Sequence, residues 1–235
     1  MTPLELRNLF NLQYNNIFSA AAPALNDYEI SLYLTKAVKE LVQTYYTGQA
    51  DGNPVDSTEK LRELLAFYTK EKNITEIISG NSKYNCEESI VSLDNNVWYI
   101  LNEYILTNDR WLRVKPISYD QLHGLLTNPY KQPNAFRAYR VEQNSDEGLI
   151  LKIYSKRCVD IYSINYIEVP EPIIISSLAD VLPGLTIESR ATVNIPRYPN
   201  NWLWDLIINR AVELATRDYK SNDLNSQVQL NSRVQ

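Results

Sequence analysis

Tyr166-Ile167-Glu168-Val169-Pro170-Glu171-Pro172-Ile173-Ile174-Ile175, followed after an irregular stretch by Trp202-Leu203-Trp204-Asp205-Leu206-Ile207-Ile208-Asn209-Arg210-Ala211-Val212-Glu213-Leu214-Ala215, is the part of the chain that decides its fold class. The first run closes a β-branched and aromatic segment, Val159 to Val169. Prolines 170 and 172 end it, because proline has no N–H to give to a strand ladder. Residues 173–200 hold Pro183, Gly184, Pro196 and Pro199, so this stretch reads as a long, mostly irregular crossing. The chain returns to helix at Asn201. A strand region that ends in a crossing and then a helix predicts an α+β protein.

The N-terminal third supplies the helices that the last one would pack against. In Leu25-Asn26-Asp27-Tyr28-Glu29-Ile30, Asn26 can cap, Glu29 can bond back, and Leu25 with Ile30 can form a hydrophobic staple. Apolar residues then recur at helical spacing, at Ile30, Leu34, Ala37, Val38, Leu41 and Tyr45, until Gly48 gives a stop. Gln49 to Val55 reads as a loop. Asp56 and Glu59 repeat the capping pattern ahead of Leu61, Leu64, Leu65 and Tyr68. Residues 3–18 form a further helix with Leu6, Leu9, Phe10 and Ile17 as one stripe, and Pro3 suits its first turn.

From Ser89 the pattern turns to β-branched and aromatic runs. Val97–Leu106, Ala135–Glu142, Leu149–Tyr154 and Val159–Val169 are the expected strands, with Asp146-Glu147-Gly148 as a hairpin turn. Trp98, Leu101 and Ile105 also fall at helical spacing, so the first of these is ambiguous from period alone. Pro116 to Pro133 is a connector with a short helix, Tyr119 to Leu126, capped by Ser118 and closed by Asn128-Pro129. The expected organisation is a helical layer from residues 1–80 and 201–220, an inserted antiparallel β region over 89–200, and an extended C-terminal arm over 221–235.

Composition narrows the function classes. With 235 residues, 44% hydrophobic and 22% charged, the chain can bury a core and is not of disordered type. Net charge is −5, divided as −3 over 1–80, −2 over 81–200 and 0 over 201–235, so no segment is expected to form the basic stripe that phosphate binding needs. Cys86 and Cys158 are too few for a disulfide framework, which fits a reducing compartment. Met1-Thr2-Pro3-Leu4-Glu5-Leu6-Arg7 lacks the apolar run of a signal peptide, and no run reaches the roughly 18 apolar residues of a membrane span.

Little chemistry is on offer. The single histidine, His123, leaves almost no material for a His-based triad or metal site and is expected on the surface or at a cap. Cys86 and Cys158 are expected as small buried hydrophobes, and the pairs Glu87-Glu88 and Asp146-Glu147 as solvated loops. No phosphate-cradling glycine motif is present. No catalytic residue, metal or cofactor is therefore expected. The interface candidates are Trp202 and Trp204, which at i and i+2 cannot share one helix face: one packs inward while the other meets a neighbour, or both sit in one broad core stripe. Leu224, Val228 and Leu230 are the apolar residues of the tail from Ser221 to Gln235, which is either disordered or, the favoured reading, an arm laid on an adjacent subunit.

Three landmarks resemble virion structural proteins of crAss-like tailed phages. They are Val97-Trp98-Tyr99-Ile100-Leu101-Asn102-Glu103; Val114-Lys115-Pro116-Ile117-Ser118-Tyr119-Asp120 with Asn128-Pro129-Tyr130-Lys131-Gln132-Pro133; and the closing block quoted at the outset. Leu25 through Leu41 is similar to the first long helix of such proteins. The resemblance implies a head-to-tail connector or tail-barrel ring, twelve-fold, stacked on the portal and other connector or tail proteins. DNA would be only passing cargo and no membrane would be involved; the protein would be made in the host cytoplasm and carried in the virion. The family usually has Thr-His-Asp where this chain has Ser118-Tyr119-Asp120, which weakens any chemical role there. The alternative is a phage enzyme or nucleic-acid handling factor built on the polar loop from Pro116 to Pro133.

Overall fold

A computed structural model describes residues 1–17, 24–47, 62–145, 148–181 and 184–232, the last helix beyond residue 219 by its backbone alone. The Gln49–Val55 loop, the Asp56/Glu59 cap and the Asp146-Glu147 turn residues lie outside the described residues. The chain is α+β and divides into two compact units, residues 1–67 with 170–235, and residues 68–169.

The first unit is helical. Helix α1 (Pro3–Ile17) opens with a reciprocal cap not anticipated above: Glu5 N–H donates to Thr2 Oγ1 at 3.3 Å, and Thr2 N–H to Glu5 Oε2 at 2.7 Å. Helix α2 (Asp27–Thr47) opens with the expected one, Asn26 and Glu29 exchanging bonds of 2.9 Å. Helix α3, seen over residues 62–68, leads to the unit boundary, and α6 (Asn201–Ser232) runs for 32 residues, about 48 Å at 1.5 Å per residue. α6 packs on α2 and α1. Its inward residues Leu203, Trp204, Ile207, Ile208, Ala211 and Ala215 meet the buried stripes Ile30, Leu34, Ala37, Val38 and Val42 of α2 and Leu6, Phe10 and Tyr14 of α1. Residues 221–232, expected as an extended arm, are the last turns of this helix. Their sparse apolar residues carry no helical stripe, but the helix propagates from a buried start.

The crossing segment belongs to this helical unit. Ile173 and Ile175 lie along α2, and their backbone N–H groups donate to Thr35 Oγ1 at 3.0 Å and Ser31 Oγ at 3.2 Å. Each hydroxyl in turn donates to a helix carbonyl four residues back. Two side chains one turn apart thus satisfy an extended segment that has no sheet partner there. The one-turn helix α5 (Leu178–Val181) follows, and Ile174, Leu178 and Ile187 form a small core. The helical unit therefore takes in residues 170–200, which composition alone had grouped with the strands.

The second unit is a curled eight-stranded mixed sheet in the order β1-β8-β4-β5-β6-β7-β3-β2. Its strands are β1 (Thr69–Ile74), β2 (Ile78–Ser79), β3 (Glu87–Leu93), β4 (Val97–Thr107), β5 (Arg110–Pro116), β6 (Ala138–Ser145), β7 (Gly148–Ser155) and β8 (Ile161–Glu168). All pairings are antiparallel except β5 with β6, a three-residue parallel step from Val114↔Ala138 to Pro116↔Arg140. The expected strand content was antiparallel throughout. The parallel step arises because helix α4 (Tyr119–Thr127) and the loop after it bring the chain back alongside the last residues of β5 running in the same direction. Ser145 and Gly148 face each other across β6 and β7, and Gly148 holds φ of +134°, open to glycine and costly for other residues.

β1, β2, β3 and β5 were not anticipated. β1 is Thr-Lys-Glu-Lys-Asn-Ile, an edge strand whose charges guard the edge and erase the alternation that would announce it. β4 is a strand despite its helical spacing. Two bulges, between Val97 and Tyr99 and between Ile100 and Asn102, add residues that break the period of two. Inside the curl, Val91, Leu93, Ile105, Leu112, Val114, Leu151, Ile153, Tyr162 and Ile164 make the main core. On the other face, Leu122 and Leu126 of α4 cover Tyr139, Val141 and Tyr154. Ser118 stands at the α4 N-cap with its carbonyl accepting from Gln121 N–H at 3.2 Å but no side-chain bond to the helix backbone; its hydroxyl bonds Asp120, whose carboxyl is held below its usual range by that bond.

Candidate subunit interface

Trp204 points into the helical unit. It is 2% exposed, and its ring meets Tyr198 edge-on with centroids 4.9 Å apart, Tyr198 in turn lying 4.8 Å from Phe67. A side chain enclosed by its own subunit cannot also meet a neighbour, so of the tryptophan pair only Trp202 remains for contact. Trp202 is half-buried at the start of α6, and its Nε1 donates to Glu63 Oε2 at 3.0 Å, an oxygen that also accepts from Asn200 Nδ2 at 2.8 Å. The indole is thereby oriented while one flank reaches solvent. Residues 224, 228 and 230 lie on the last turns of α6 as backbone.

Among the described residues, the buried charged side chains of the sheet unit, Glu103 and Arg140, share one cluster. Arg140 Nε, on β6, lies 3.0 Å and 2.8 Å from the two carboxylate oxygens of Glu103 on β4, and both side chains are 5% exposed. Tyr162 of β8 donates to Glu103 Oε2 at 2.8 Å, and Arg140 Nη1 reaches Glu142 at the rim. Burial raises the Glu103 carboxyl above its ordinary range, with Arg140 and then Tyr162 pulling the other way. Burial likewise pushes the Tyr162 hydroxyl far up, Glu103 adding to it. The groups are fully occupied with one another and ringed by aliphatic core, so the cluster ties three strands in register. A groove of about 480 Å³, lined by Ser118, Tyr119, Gln121, Arg140 and Glu142 among others, lies against its rim.

The other residues weighed above fall apart from one another. His123 is exposed, its Nδ1 3.5 Å from Tyr84 Oη. Cys86 is half-buried beside the α4 core, but Cys158, expected to be buried, is exposed in the β7–β8 connection after Lys156-Arg157. Glu87 and Glu88 begin β3 instead of forming a loop, and Glu88 lies 3.8 Å from Lys152. No group of three or more His, Cys, Asp or Glu is placed to share a metal ion among the described residues.

What the surface does present is large side chains without cover. In the sheet unit, Tyr104 is 37% exposed and Trp111 52%, lining a shallow groove of about 340 Å³ with Glu71, Asn73, Ser163 and Asn165. Tyr130 and Phe136 stand out further still. Exposed aromatics of this size are the anchors that protein interfaces use. Sequence reading missed them because an aromatic in a strand or loop is assigned to core by default.

The family model described as phage tail ring protein 3/4 matches residues 1–227. The chain belongs to that family. It is 30% identical over 234 residues to ring protein 4/5 of Bacteroides phage crAss001, covering 97% of this chain and 98% of that protein. To ring protein 3 of the same phage it is 27% identical over 227 residues, covering 92% and 95%. Both units, and most of α6, thus fall within the matched length of this tail ring family.

Proposed function

We propose that the chain is a non-enzymatic structural protein of the phage virion, closing with copies of itself into a ring in the head-to-tail connector or tail barrel. The observation that carries this is the match of residues 1–227, helices and sheet alike, to a tail ring family. Support also comes from where the polar residues go: the ionisable cluster of Glu103, Arg140 and Tyr162 is buried and internally paired. Repetition of one subunit around an axis requires two different surfaces that fit each other, and the product is a closed ring when the rotation divides a full turn. Such a ring links portal to tail and leaves an axial passage for DNA. A neutral or acidic lining lets DNA pass, since basic side chains would hold it through its phosphates. Trp202 and the end of α6, with Leu224, Val228 and Leu230, are the contact residues this reading names in the helical unit. Imaging of the virion by cryo-electron microscopy tests copy number, level and neighbours together. Recombinant chain that stays monomeric in mass photometry, even with portal protein added, would count against the ring.

A further inference from the structure

Charge along the sheet unit is segregated in a way that the segment totals conceal. Residues 84–109 hold Glu87, Glu88, Asp94, Glu103 and Asp109 and no Lys or Arg. Residues 110–140 hold Arg110, Arg113, Lys115, Lys131, Arg137 and Arg140 against Asp120 alone, a net of +5 in a chain of −5, which leaves −10 on all the rest. Arg140 is spent inside on Glu103. The other five cations are exposed, and none of them takes part in an ion pair among the described residues.

The fold gathers these cations around exposed aromatics. The Arg110 guanidinium sits 4.3 Å from the centre of the Phe136 ring, which sets the loop of residues 128–137 beside the start of β5, where Trp111 and Arg113 also face outward. That loop is held firmly. Asn128 Oδ1 accepts from Tyr130 N–H at 3.0 Å, Asn134 Oδ1 accepts from Phe136 N–H at 2.9 Å, Asn134 and Arg137 exchange backbone bonds, and the Lys131 carbonyl accepts from Tyr139 Oη at 2.6 Å. Even so, the loop leaves Tyr130 91% and Phe136 70% exposed. Aromatics and arginines on an already ordered loop cost little further entropy to dock, the condition under which interface anchors are most effective.

We propose that this aromatic, basic surface is one half of the contact between adjacent copies of the chain, docking on acidic surface of a second copy. The inference rests on the ring reading above. Charge complementarity selects the occupant: the rest of the chain sums to −10, so a second copy offers carboxylates to the patch. The same complementarity selects the geometry. Two patches face to face would bring like charges together, whereas patch against acidic surface is a head-to-tail contact of the kind that builds a ring. Duplex DNA, the other polyanion to hand, offers phosphates but no apolar seat for Tyr130 and Phe136.

The test uses full-length chain, measured by mass photometry and cross-linking over a salt series, with binding to a short labelled DNA duplex read by fluorescence anisotropy. The variants are Arg113→Glu with Arg137→Glu, and Tyr130→Ala with Phe136→Ala; Arg113→Glu alone serves if a double variant shifts the thermal melt. The expected result is self-association of the wild type that weakens with salt, and at least a tenfold loss in each variant at unchanged melting, about the effect of removing one interface anchor. Variants that assemble like wild type overturn the surface assignment while leaving the ring in place. Salt-dependent duplex binding that the charge variants abolish, with assembly intact, overturns it in favour of DNA as the occupant. A wild type that is monomeric throughout overturns both readings.

Discussion

Single residues in this protein act mostly by satisfying backbone. Thr35 is the clearest case, because its hydroxyl is the acceptor that the Ile173 N–H finds at 3.0 Å in a buried site. Replacing Thr35 with Val keeps the shape and orphans that donor, so denaturant unfolding should show a loss of about 1–3 kcal/mol with an unchanged slope. The tryptophans separate in the same assay. Trp204→Ala empties an enclosed site and should cost about 3–5 kcal/mol, whereas Trp202→Phe removes the bond to Glu63 and part of a half-buried ring and should cost about 1 kcal/mol. Glu171 clips the crossing through Arg190 Nη2 at 2.8 Å and Asn194 Nδ2 at 3.2 Å, and the Arg190 bond holds its carboxyl below the usual range. A depressed carboxyl contributes stability above its unfolded value and loses it as pH falls through the folded one. Thermal melts of Glu171→Gln should therefore differ from wild type at neutral pH and converge with it in acid.

Between elements, the decisive feature is the buried ion cluster across β4, β6 and β8. Glu103→Leu leaves Arg140 buried with only the rim carboxylate of Glu142, and should destabilise by about 3–5 kcal/mol. Glu103→Leu combined with Arg140→Met should cost less than Glu103→Leu alone, because no charge is left stranded. A double variant that melts below both single variants would show that the pair stabilises the sheet beyond what its desolvation takes away. Not all of this level could be read from the chain. The capping boxes at Asn26 and Thr2 are local, each made within four residues, so their sequence pattern is also their structure. The strands β1 and β5 are not local, since each is defined by the neighbour it pairs with. Glu103 looks like any strand glutamate until Arg140, 37 residues on, lies against it.

For the whole molecule, Ala215 is the last buried residue among those of α6 described with side chains, while the helix continues to Ser232. A chain ending at Tyr219 should keep its melting temperature and lose self-association in mass photometry, an outcome that would assign the final turns to assembly rather than to folding. The candidate interface was half legible. Trp202 and Trp204 could be singled out from spacing, but which of them turns inward depends on where Tyr198 and Phe67 arrive. The basic, aromatic patch was hidden by averaging, since cations on β5 and on the 128–137 loop join one surface only once the chain folds. Sequence alone determined the α+β class, the helix starts, the strands with strong β-branched runs and the family, because caps, periodicity and ordered landmarks are properties of neighbouring residues. Tertiary structure alone decided the sheet order, the parallel β5–β6 step, the assignment of the 170–200 crossing to the helices and the surface left open for contact. Each of those depends on which distant segments come together, and burial and pairing energies act on that proximity rather than on order along the chain.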